Sequence, residues 1–305
     1  MRIVVTRRIP EAALVELRAL GEVWMPEEDR ALDPDELRKT VAGAAAIVCM
    51  LHDRIDASVA EAAGPSLRIV ANVAVGYDNI DVPALTSRDV FVTNTPGVLT
   101  DATADLAFGL LLALTRRIAE GDRLLRSREP WSFHLGFMLG TGLQAKTLGI
   151  IGPGQIGRAM GKRAEAFGMH VVYSGRSEPK EDLLRRADVV SLHCPLTPET
   201  HHLIDAEALK VMKPTAVLIN TTRGPVVDEA ALADALLGRE IAGAALDVFE
   251  REPEVEPRLL ELDNVVLTPH LGSATVETRT QMALLAAENV TAVLTGKEAI
   301  NPVRG

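Results

Sequence analysis

A glycine motif in the middle of the chain constrains its fold more than any other stretch. The apolar run Thr147 to Ile151 precedes Gly152-Pro153-Gly154-Gln155-Ile156-Gly157; helical spacing follows as far as Phe167, and a second apolar run covers 169–174. This order predicts a strand, a helix and a second strand. The glycines would allow a tight turn, close approach to a pyrophosphate and close helix–strand packing. The residues predicted to bind a dinucleotide here are Gly152, Gly154, Gln155, Ile156 and Gly157.

Composition excludes several classes of partner. The chain has 305 residues, enough for two domains that each bury a core, and its net charge of −10 argues against nucleic acid or an anionic membrane. The longest apolar stretch, Leu106 to Leu114, is about half the length of a membrane helix, and Arg2 to Thr6 is too short for a signal peptide. Cys49 and Cys194 have no paired spacing, so we expect a cytoplasmic protein without a disulfide framework or a metal site.

Strand and helix patterns alternate on both sides of the motif. Over 1–98 and again over 99–270, short apolar runs are separated by helical segments, which is typical of parallel sheets covered by helices on both faces. The last long helix, Ser273 to Leu294, is predicted to return the chain to its first domain. The prediction is therefore an α/β protein with two doubly wound parallel-sheet domains, one of residues 1–98 with 271–305 and one of residues 99–270.

The segment between these patterns has its own character. Thr100-Asp101 is typical of the start of a helix that would run to Arg117, and residues 121–143 are predicted to be irregular. Trp131, Phe133 and Phe137 lie in that irregular segment. Exposed aromatic residues are costly in a monomer, so the segment predicts either a subunit contact or a loop packed on its own domain.

Ligands of open α/β sheets bind beyond the carboxyl ends of the strands. Arg223, Glu252 and His270 each follow a predicted strand in the second domain. A guanidinium can bind a carboxylate through two hydrogen bonds, an imidazole can exchange a proton near neutral pH, and a carboxylate favours the imidazolium form. Together they could bind a 2-oxo acid and protonate its oxygen. Taken singly, Arg223 could be an interdomain ion pair, Glu252 a solvated loop charge and His270 a helix cap.

Several further segments, in a fixed order, resemble the D-isomer-specific 2-hydroxyacid dehydrogenases, and within that family the glyoxylate/hydroxypyruvate reductases. The matching segments are Val75-Gly76-Tyr77-Asp78-Asn79-Ile80-Asp81, Asn94-Thr95-Pro96-Gly97, the glycine motif, Met212-Lys213-Pro214, Asn220 to Asp228, Leu246 to Pro253 and Thr268 to Ser273. The resemblance implies a flavodoxin-like substrate domain, a Rossmann cofactor domain and a cleft between them. It also implies that Arg223 orients the substrate and that His270, paired with Glu252, is the general acid in reduction.

The same resemblance implies further roles. The N–H groups of Val75 and Gly76 would bind the substrate carboxylate, and glycine suits the close approach that this requires. Thr221, Thr222, Asp247 and Gly272 would line the nicotinamide, although Asp247 could instead be a structural carboxylate at a strand end. Leu51 is a candidate for the substrate pocket, and Trp131 could reach a partner's site in a homodimer.

The end of the second strand of the motif indicates which cofactor is used. NAD-binding members of the family usually have an acid there, which holds the ribose 2′-hydroxyl. This chain has Ser174-Gly175-Arg176-Ser177 instead. A cation beside two hydroxyls would bind a 2′-phosphate, so we predict NADP in preference to NAD, with Ser174, Arg176 and Ser177 as ligands. A surface arginine in an enzyme that uses both cofactors is the alternative.

The sequence therefore predicts a dimeric reductase that converts a small 2-oxo acid, glyoxylate or hydroxypyruvate, to a D-2-hydroxy acid. Other D-2-hydroxyacid specificities, D-lactate or phosphoglycerate, stay open. A dinucleotide-sensing binding protein without turnover is the alternative from a different class.

Overall fold

A computed structural model describes residues 1–175 and 180–303. The chain divides into two compact units, one formed by Met1–Leu99 with Ser273–Gly305 and one by Thr100–Gly272. Each unit contains a parallel sheet with helices around it, which confirms the predicted α/β class. None of the described helices is long and apolar enough to cross a membrane.

The first unit has a five-stranded sheet in the order β2-β1-β3-β4-β5, and every pair of strands is parallel. Its strands are β1 (Arg2–Val5), β2 (Glu22–Trp24), β3 (Ala46–Cys49), β4 (Ile69–Asn72) and β5 (Phe91–Thr93). Its helices, numbered along the whole chain, are α1 (Glu11–Arg18), α2 (Pro34–Thr40), α3 (Ala57–Ala63), α4 (Val82–Thr86) and α12 (Val276–Leu294). Every residue of β3 and β4 is buried, because helices cover both faces of the sheet.

Local sequence determines where these helices begin. Asp33 accepts hydrogen bonds from the N–H groups of Asp35 and Glu36, and Glu36 bonds back to the N–H of Asp33, which closes a capping box on α2. Thr275 caps α12 in a similar way, so that helix begins at Val276 rather than at the predicted Ser273.

The second unit has a six-stranded sheet in the order β11-β10-β9-β8-β6-β7, again parallel throughout. Its strands are β6 (Thr147–Ile151), β7 (His170–Ser174), β8 (Val189–Leu192), β9 (Val217–Asn220), β10 (Gly243–Leu246) and β11 (Val265–Leu267). Its helices are α5 (Thr100–Thr115), α6 (Ile118–Ser127), α7 (Gln155–Ala166), α8 (Lys180–Arg186), α9 (Ala206–Val211), α10 (Glu229–Leu237) and α11 (Pro257–Leu260). Because β6 lies between β7 and β8, the strand order reverses direction after β7, and such a point is where open α/β sheets generally bind their ligands.

The segment 121–143 differs from the prediction. Residues 121–127 belong to α6 and are helical rather than irregular. Arg117, with a φ of 54°, breaks the helical path between α5 and α6. None of the residues of α6 is buried in the single chain, and Ile118 and Leu125 are 57% and 60% exposed.

Candidate active site

The glycine motif forms the turn from β6 into α7. Gly152 has a φ of 95°, and a Cβ there would lie 2.6 Å from the backbone nitrogen of Cys194. A Cβ on Gly157 would lie 2.4 Å from the carbonyl oxygen of Gly152, whereas a Cβ on Gly154 meets none of the described atoms within 4 Å. Gly152 and Gly157 therefore close the turn, and Gly154 leaves open space at the start of α7.

The first turn of α7 is suited to an anion. Gly154 is the N-cap and has no side chain to bond the N–H groups of Gln155, Ile156 and Gly157. Unpaired N–H groups at a helix N-terminus, together with the helix dipole, favour a phosphate. The turn from Gly152 to Gly157 is therefore suited to bind the predicted pyrophosphate.

The end of β7 lies beside this turn. Ser174 is buried, and its carbonyl accepts a hydrogen bond of 3.0 Å from the N–H of Gly152. Arg176 and Ser177 lie outside the described residues, so their contact with a 2′-phosphate stays a prediction.

Asn220, the last residue of β9, builds the turn that carries Arg223. Its side-chain oxygen accepts from the N–H and the hydroxyl of Thr222 at 3.0 and 2.8 Å, and its amide donates to the carbonyl of Arg223 at 3.0 Å. Asn220 is only 1% exposed, so the turn is anchored in the interior. The sequence analysis named Asn220 only as the first residue of a matching segment and missed this role.

The segment after Arg223 packs directly on the loop that carries Glu252. A Cβ on Gly224 would lie 1.8 Å from the carbonyl carbon of Phe249, so only glycine fits there. The short 3-10 helix Gly224–Val226 begins at this contact. The two loops therefore hold each other's backbone in place.

The predicted pair of Glu252 and His270 is formed in the structure. His270 Nδ1 is 2.9 Å from Glu252 Oε2, and Glu252 Oε1 accepts from the N–H of Phe249 at 3.0 Å. The side chains are 24% and 19% exposed, so the pair is partly shielded from water. With Nδ1–H donating to the carboxylate, Nε2 becomes the nitrogen that can exchange a proton. His270 itself has a left-handed backbone, with a φ of 55°.

Asp247 holds the loop on which His270 lies. It is fully buried, and its carboxylate accepts from the hydroxyl of Thr268 at 2.6 Å and from the N–H groups of Leu271 and Gly272 at 2.7 and 2.8 Å. Burial raises the pKa of Asp247, while these hydrogen bonds act in the opposite direction. The geometry favours the structural role that the sequence had left open for this residue.

Two buried polar atoms at the ends of β8 and β9 are without a partner among the described residues. They are Nδ1 of His193 and Oγ1 of Thr221. Leu192 pairs with Asn220 in the sheet, so His193 and Thr221 are the next residues along two neighbouring strands. Orphaned buried polar atoms are rare, and their position at the predicted cofactor edge supports binding of a polar group there.

His193 was missed by the sequence reasoning, although it follows a strand just as the catalytic candidates do. Its Nε2 is 2.8 Å from the hydroxyl of Ser191, and its backbone lies against Gly152. Burial lowers the pKa of His193 to about 4, so the imidazole is neutral near neutral pH. The position after β8 was the signal that could have found it.

In the first unit, the loop that contains Val75 and Gly76 follows β4. The carbonyl of Ala74 accepts from the N–H of Thr95 at 2.9 Å, and the carbonyl of Val75 accepts from Asn94 Nδ2 at 2.8 Å. The carbonyl of Gly76 accepts from Asn72 Nδ2 at 2.8 Å. Loop carbonyls are thus held by strand-end groups of the same unit.

Leu51 lies at the same edge of the first sheet, after β3. Asn79 joins the two loops, because its amide donates to the carbonyls of Met50 and Asp53 at 3.1 and 3.0 Å. The structure therefore brings the Leu51 loop beside the loop of Val75 and Gly76. In the second unit it brings Glu252 and His270 into contact and places Arg223 at the same edge, since β9, β10 and β11 are neighbours.

Comparison with known proteins is consistent with this arrangement. Residues 108–272 match the family model described as D-isomer specific 2-hydroxyacid dehydrogenase, NAD binding domain. A glyoxylate reductase of Pyrococcus horikoshii is 49% identical, over 97% of this chain and 93% of its own length.

Two solved structures are also similar. A Thermus thermophilus protein superposes with a TM-score of 0.95 at 47% identity, over 100% of both chains. An NADPH-dependent glyoxylate/hydroxypyruvate reductase of Sinorhizobium meliloti, solved with NADP and malonate, has a TM-score of 0.86 at 36% identity, over 99% of this chain and 96% of its own.

Proposed function

Because the chain belongs to the D-isomer specific 2-hydroxyacid dehydrogenase family and is an NAD(P)-dependent oxidoreductase, we propose that it reduces glyoxylate or hydroxypyruvate. The product is the 2-hydroxy acid, of D configuration where it is chiral. The observation that carries this proposal is the contact between His270 and Glu252 at the strand edge that also bears Arg223. A paired imidazole near a guanidinium suits protonation of a bound carbonyl oxygen.

The proton in this reaction comes from His270. Glu252 accepts a hydrogen bond from Nδ1–H, so Nε2 is the nitrogen that passes its proton to the substrate oxygen as the alkoxide forms. A nicotinamide held by Thr221, Thr222 and Gly272 would supply the hydride for the carbonyl carbon. Arg223 binds the substrate carboxylate or carbonyl through its planar fork and stabilises the developing negative charge. His270 then regains a proton from solvent, and the same group acts as the base in oxidation.

The substrate carboxylate is bound, in this proposal, by backbone N–H groups of the first unit. In a planar trans peptide the N–H points away from the carbonyl of the preceding residue. The N–H groups of Val75, Gly76 and Tyr77 therefore point away from Thr95, Asn94 and Asn72, which hold the preceding carbonyls. Thr95 and Asn72 are fully buried, so the N–H groups of Val75 and Tyr77 face away from the interior. Successive N–H groups of this kind form an anion-binding concavity.

The residues present fit a dinucleotide. Gly152 to Gly157, with Gln155 and Ile156 in the first turn of α7, would hold the pyrophosphate, and Ser174 would face the adenosine ribose. Thr221, Thr222 and Gly272 would line the nicotinamide, with Asp247 as the residue that positions their neighbour His270. The preference for NADP rests on Arg176 and Ser177 in the sequence.

A homodimer is the proposed assembly, and its interface includes α6 and the segment after it. Ile118, Leu125, Trp131, Phe133 and Leu135 are between 55% and 91% exposed in the single chain. Trp131 stacks on Phe137 with ring centres 5.9 Å apart, which preforms part of the apolar surface. Covering these side chains with a second copy would remove them from water. A cytoplasmic location is proposed from the two free, buried cysteines.

The test of the function is oxidation of NADPH and NADH in the presence of glyoxylate, hydroxypyruvate, pyruvate and bulkier 2-oxo acids. The highest kcat/KM is expected for glyoxylate or hydroxypyruvate with NADPH. A higher value for pyruvate or a phosphorylated acid would replace the substrate assignment, and a higher value for NADH would refute the role of Arg176. Cofactor binding without turnover of any 2-oxo acid would favour a dinucleotide-sensing protein.

A further inference from the structure

A cluster of metal-ligating side chains lies outside the residues assigned to the reaction. Within residues 1–175 and 180–303, His201, His202 and Glu250 bring one donor atom each within 4.8 Å of one another. His202 Nε2 is 2.6 Å from Glu250 Oε1, and the two imidazole rings are stacked with centres 4.1 Å apart. Two imidazoles and a carboxylate are a donor set that Zn²⁺ binds in proteins.

The distances between the donor atoms of His201, His202 and Glu250 can adjust to a tetrahedral metal ion. With bonds of ~2.1 Å, two donors of such a site lie about 3.4 Å apart. His201 is exposed, and its ring can rotate towards the ion, while His202 and Glu250 are half-buried and already in contact. Asp228 Oδ2 lies 3.8 Å from His202 Nδ1 and can hold that nitrogen from outside the site, as carboxylates commonly do for ligating histidines.

The charge around the cluster favours a dication. Asp228, Glu229 and Glu250 meet here; Glu229 is 6% exposed, and its carboxylate accepts from the N–H groups of Glu250 and Glu256. A bound cation would reduce the repulsion among these groups.

The cluster also joins the two loops that carry catalytic candidates. The N–H of His202 donates to the carbonyl of Pro225 at 2.8 Å, two residues after Arg223. The side chain of His202 bonds Glu250, two residues before Glu252. A ligand held by both His202 and Glu250 would therefore connect the Arg223 segment to the Glu252 loop.

We propose that His201, His202 and Glu250 form a binding site for a divalent transition metal, with Zn²⁺ as its probe, and that the bound metal fastens the Arg223 segment to the Glu252 loop. Metal binding to the folded state then raises the temperature of unfolding. Mg²⁺ is not expected to substitute, because it prefers oxygen ligands in octahedral geometry.

The test is calorimetric titration of the full-length, chelator-treated protein with Zn²⁺, and separately with Mg²⁺. One Zn²⁺ per chain is expected at this cluster. His201→Gln should weaken binding at least about 100-fold, because even the outer partners of ligands contribute 10- to 100-fold. His170→Gln, at an exposed histidine at the start of β7, is the matched control and should bind as the parent does.

His201 is exposed, so His201→Gln is expected to fold, and thermal unfolding without metal checks this directly. The proposal is overturned if the parent protein binds no Zn²⁺, or if His201→Gln and His202→Gln bind it as tightly as the parent. Binding that is lost only in His270→Gln also overturns it, because the ion would then lie at the active site. Since binding is measured without turnover, failure of the proposed reaction does not affect the result.

Discussion

The two units present different chemistry at the carboxyl edges of similar parallel sheets. In the first, buried Asn72 and Thr95 together with Asn94 hold loop carbonyls, and the backbone N–H groups are the proposed binding elements. In the second, the edge carries ionisable side chains, with His270 paired to Glu252. A backbone cradle attracts an anion but cannot exchange protons, whereas the side chains can do both. This difference supports the proposal that the first edge binds the carboxylate and that the second transfers the proton.

Loss of the proton donor is expected to change the reaction rate more than any other substitution. His270→Gln keeps a hydrogen-bonding side chain of similar size but cannot deliver a proton, so kcat for glyoxylate reduction should fall by roughly 10²- to 10⁴-fold. KM should change much less, since the carboxylate cradle is untouched. Steady-state kinetics checks this, with His170→Gln, at an exposed histidine without a proposed role, as the control. Activity within about twofold of the parent would remove His270 from the chemistry and break the contrast between the edges.

Removing the guanidinium should have the next largest effect. Arg223→Ala is expected to lower kcat/KM by roughly 10²- to 10³-fold, as for other groups that stabilise developing negative charge. Arg223→Lys should recover only part of the loss, because an ammonium cannot form the two parallel hydrogen bonds of the fork. Full recovery by lysine would mean that charge alone, and not orientation, is what Arg223 contributes.

His270 and Arg223, which these two variants change, were both identified from the sequence by their position. Arg223, Glu252 and His270 follow strands, and strand ends are where an open sheet binds its ligands. The alternation of apolar runs also indicated both sheets. Asn220 and Asn94 were not recognised, because the role of each lies in the backbone carbonyl that its amide holds, and residue type and spacing do not show which carbonyl that is. His193 follows β8 and could have been recognised by the same rule that identified Arg223 and His270. Helix α6 was missed although it is amphipathic, because the aromatic and glycine residues after it led to the whole of 121–143 being interpreted as irregular.

The pH dependence of the free energy of unfolding tests the second edge, where His193 lies. Burial lowers the pKa of His193 to about 4, below the ordinary histidine value of 6.5. The unfolded chain therefore binds a proton first as pH falls, so stability present above about pH 6.5 is lost progressively down to about pH 4. The loss from this residue should be about 3 kcal/mol over that window.

Urea unfolding across this pH range compares the parent with His193→Gln, which cannot titrate. The variant should lose less stability on acidification, whereas His170→Gln, at an exposed histidine, should follow the parent. Equal pH dependence in His193→Gln and the parent would show that the imidazole is not held neutral by the fold, and would weaken its assignment to the buried cofactor edge.

A substitution at the first edge, Asn94→Ala, is expected to have the smallest effect. Asn94→Ala removes the donor that holds the carbonyl of Val75, so the N–H of Gly76 is no longer fixed in direction. One neutral hydrogen bond contributes about 1 kcal/mol, so KM for glyoxylate should rise roughly 5- to 10-fold. The proton donor is unchanged, and kcat should stay near that of the parent.

Asn264→Ala is the matched control, because Asn264 also donates from its amide to a backbone carbonyl beside a strand, that of Ala242, but in the second unit and away from Val75. It should leave KM unchanged. If Asn94→Ala lowered kcat and left KM alone, the loop would act on the transition state and not on binding of the carboxylate. The two edges would then share the chemistry, because a neutral amide that touches no substrate can change kcat only by redirecting an N–H towards charge that develops during the reaction.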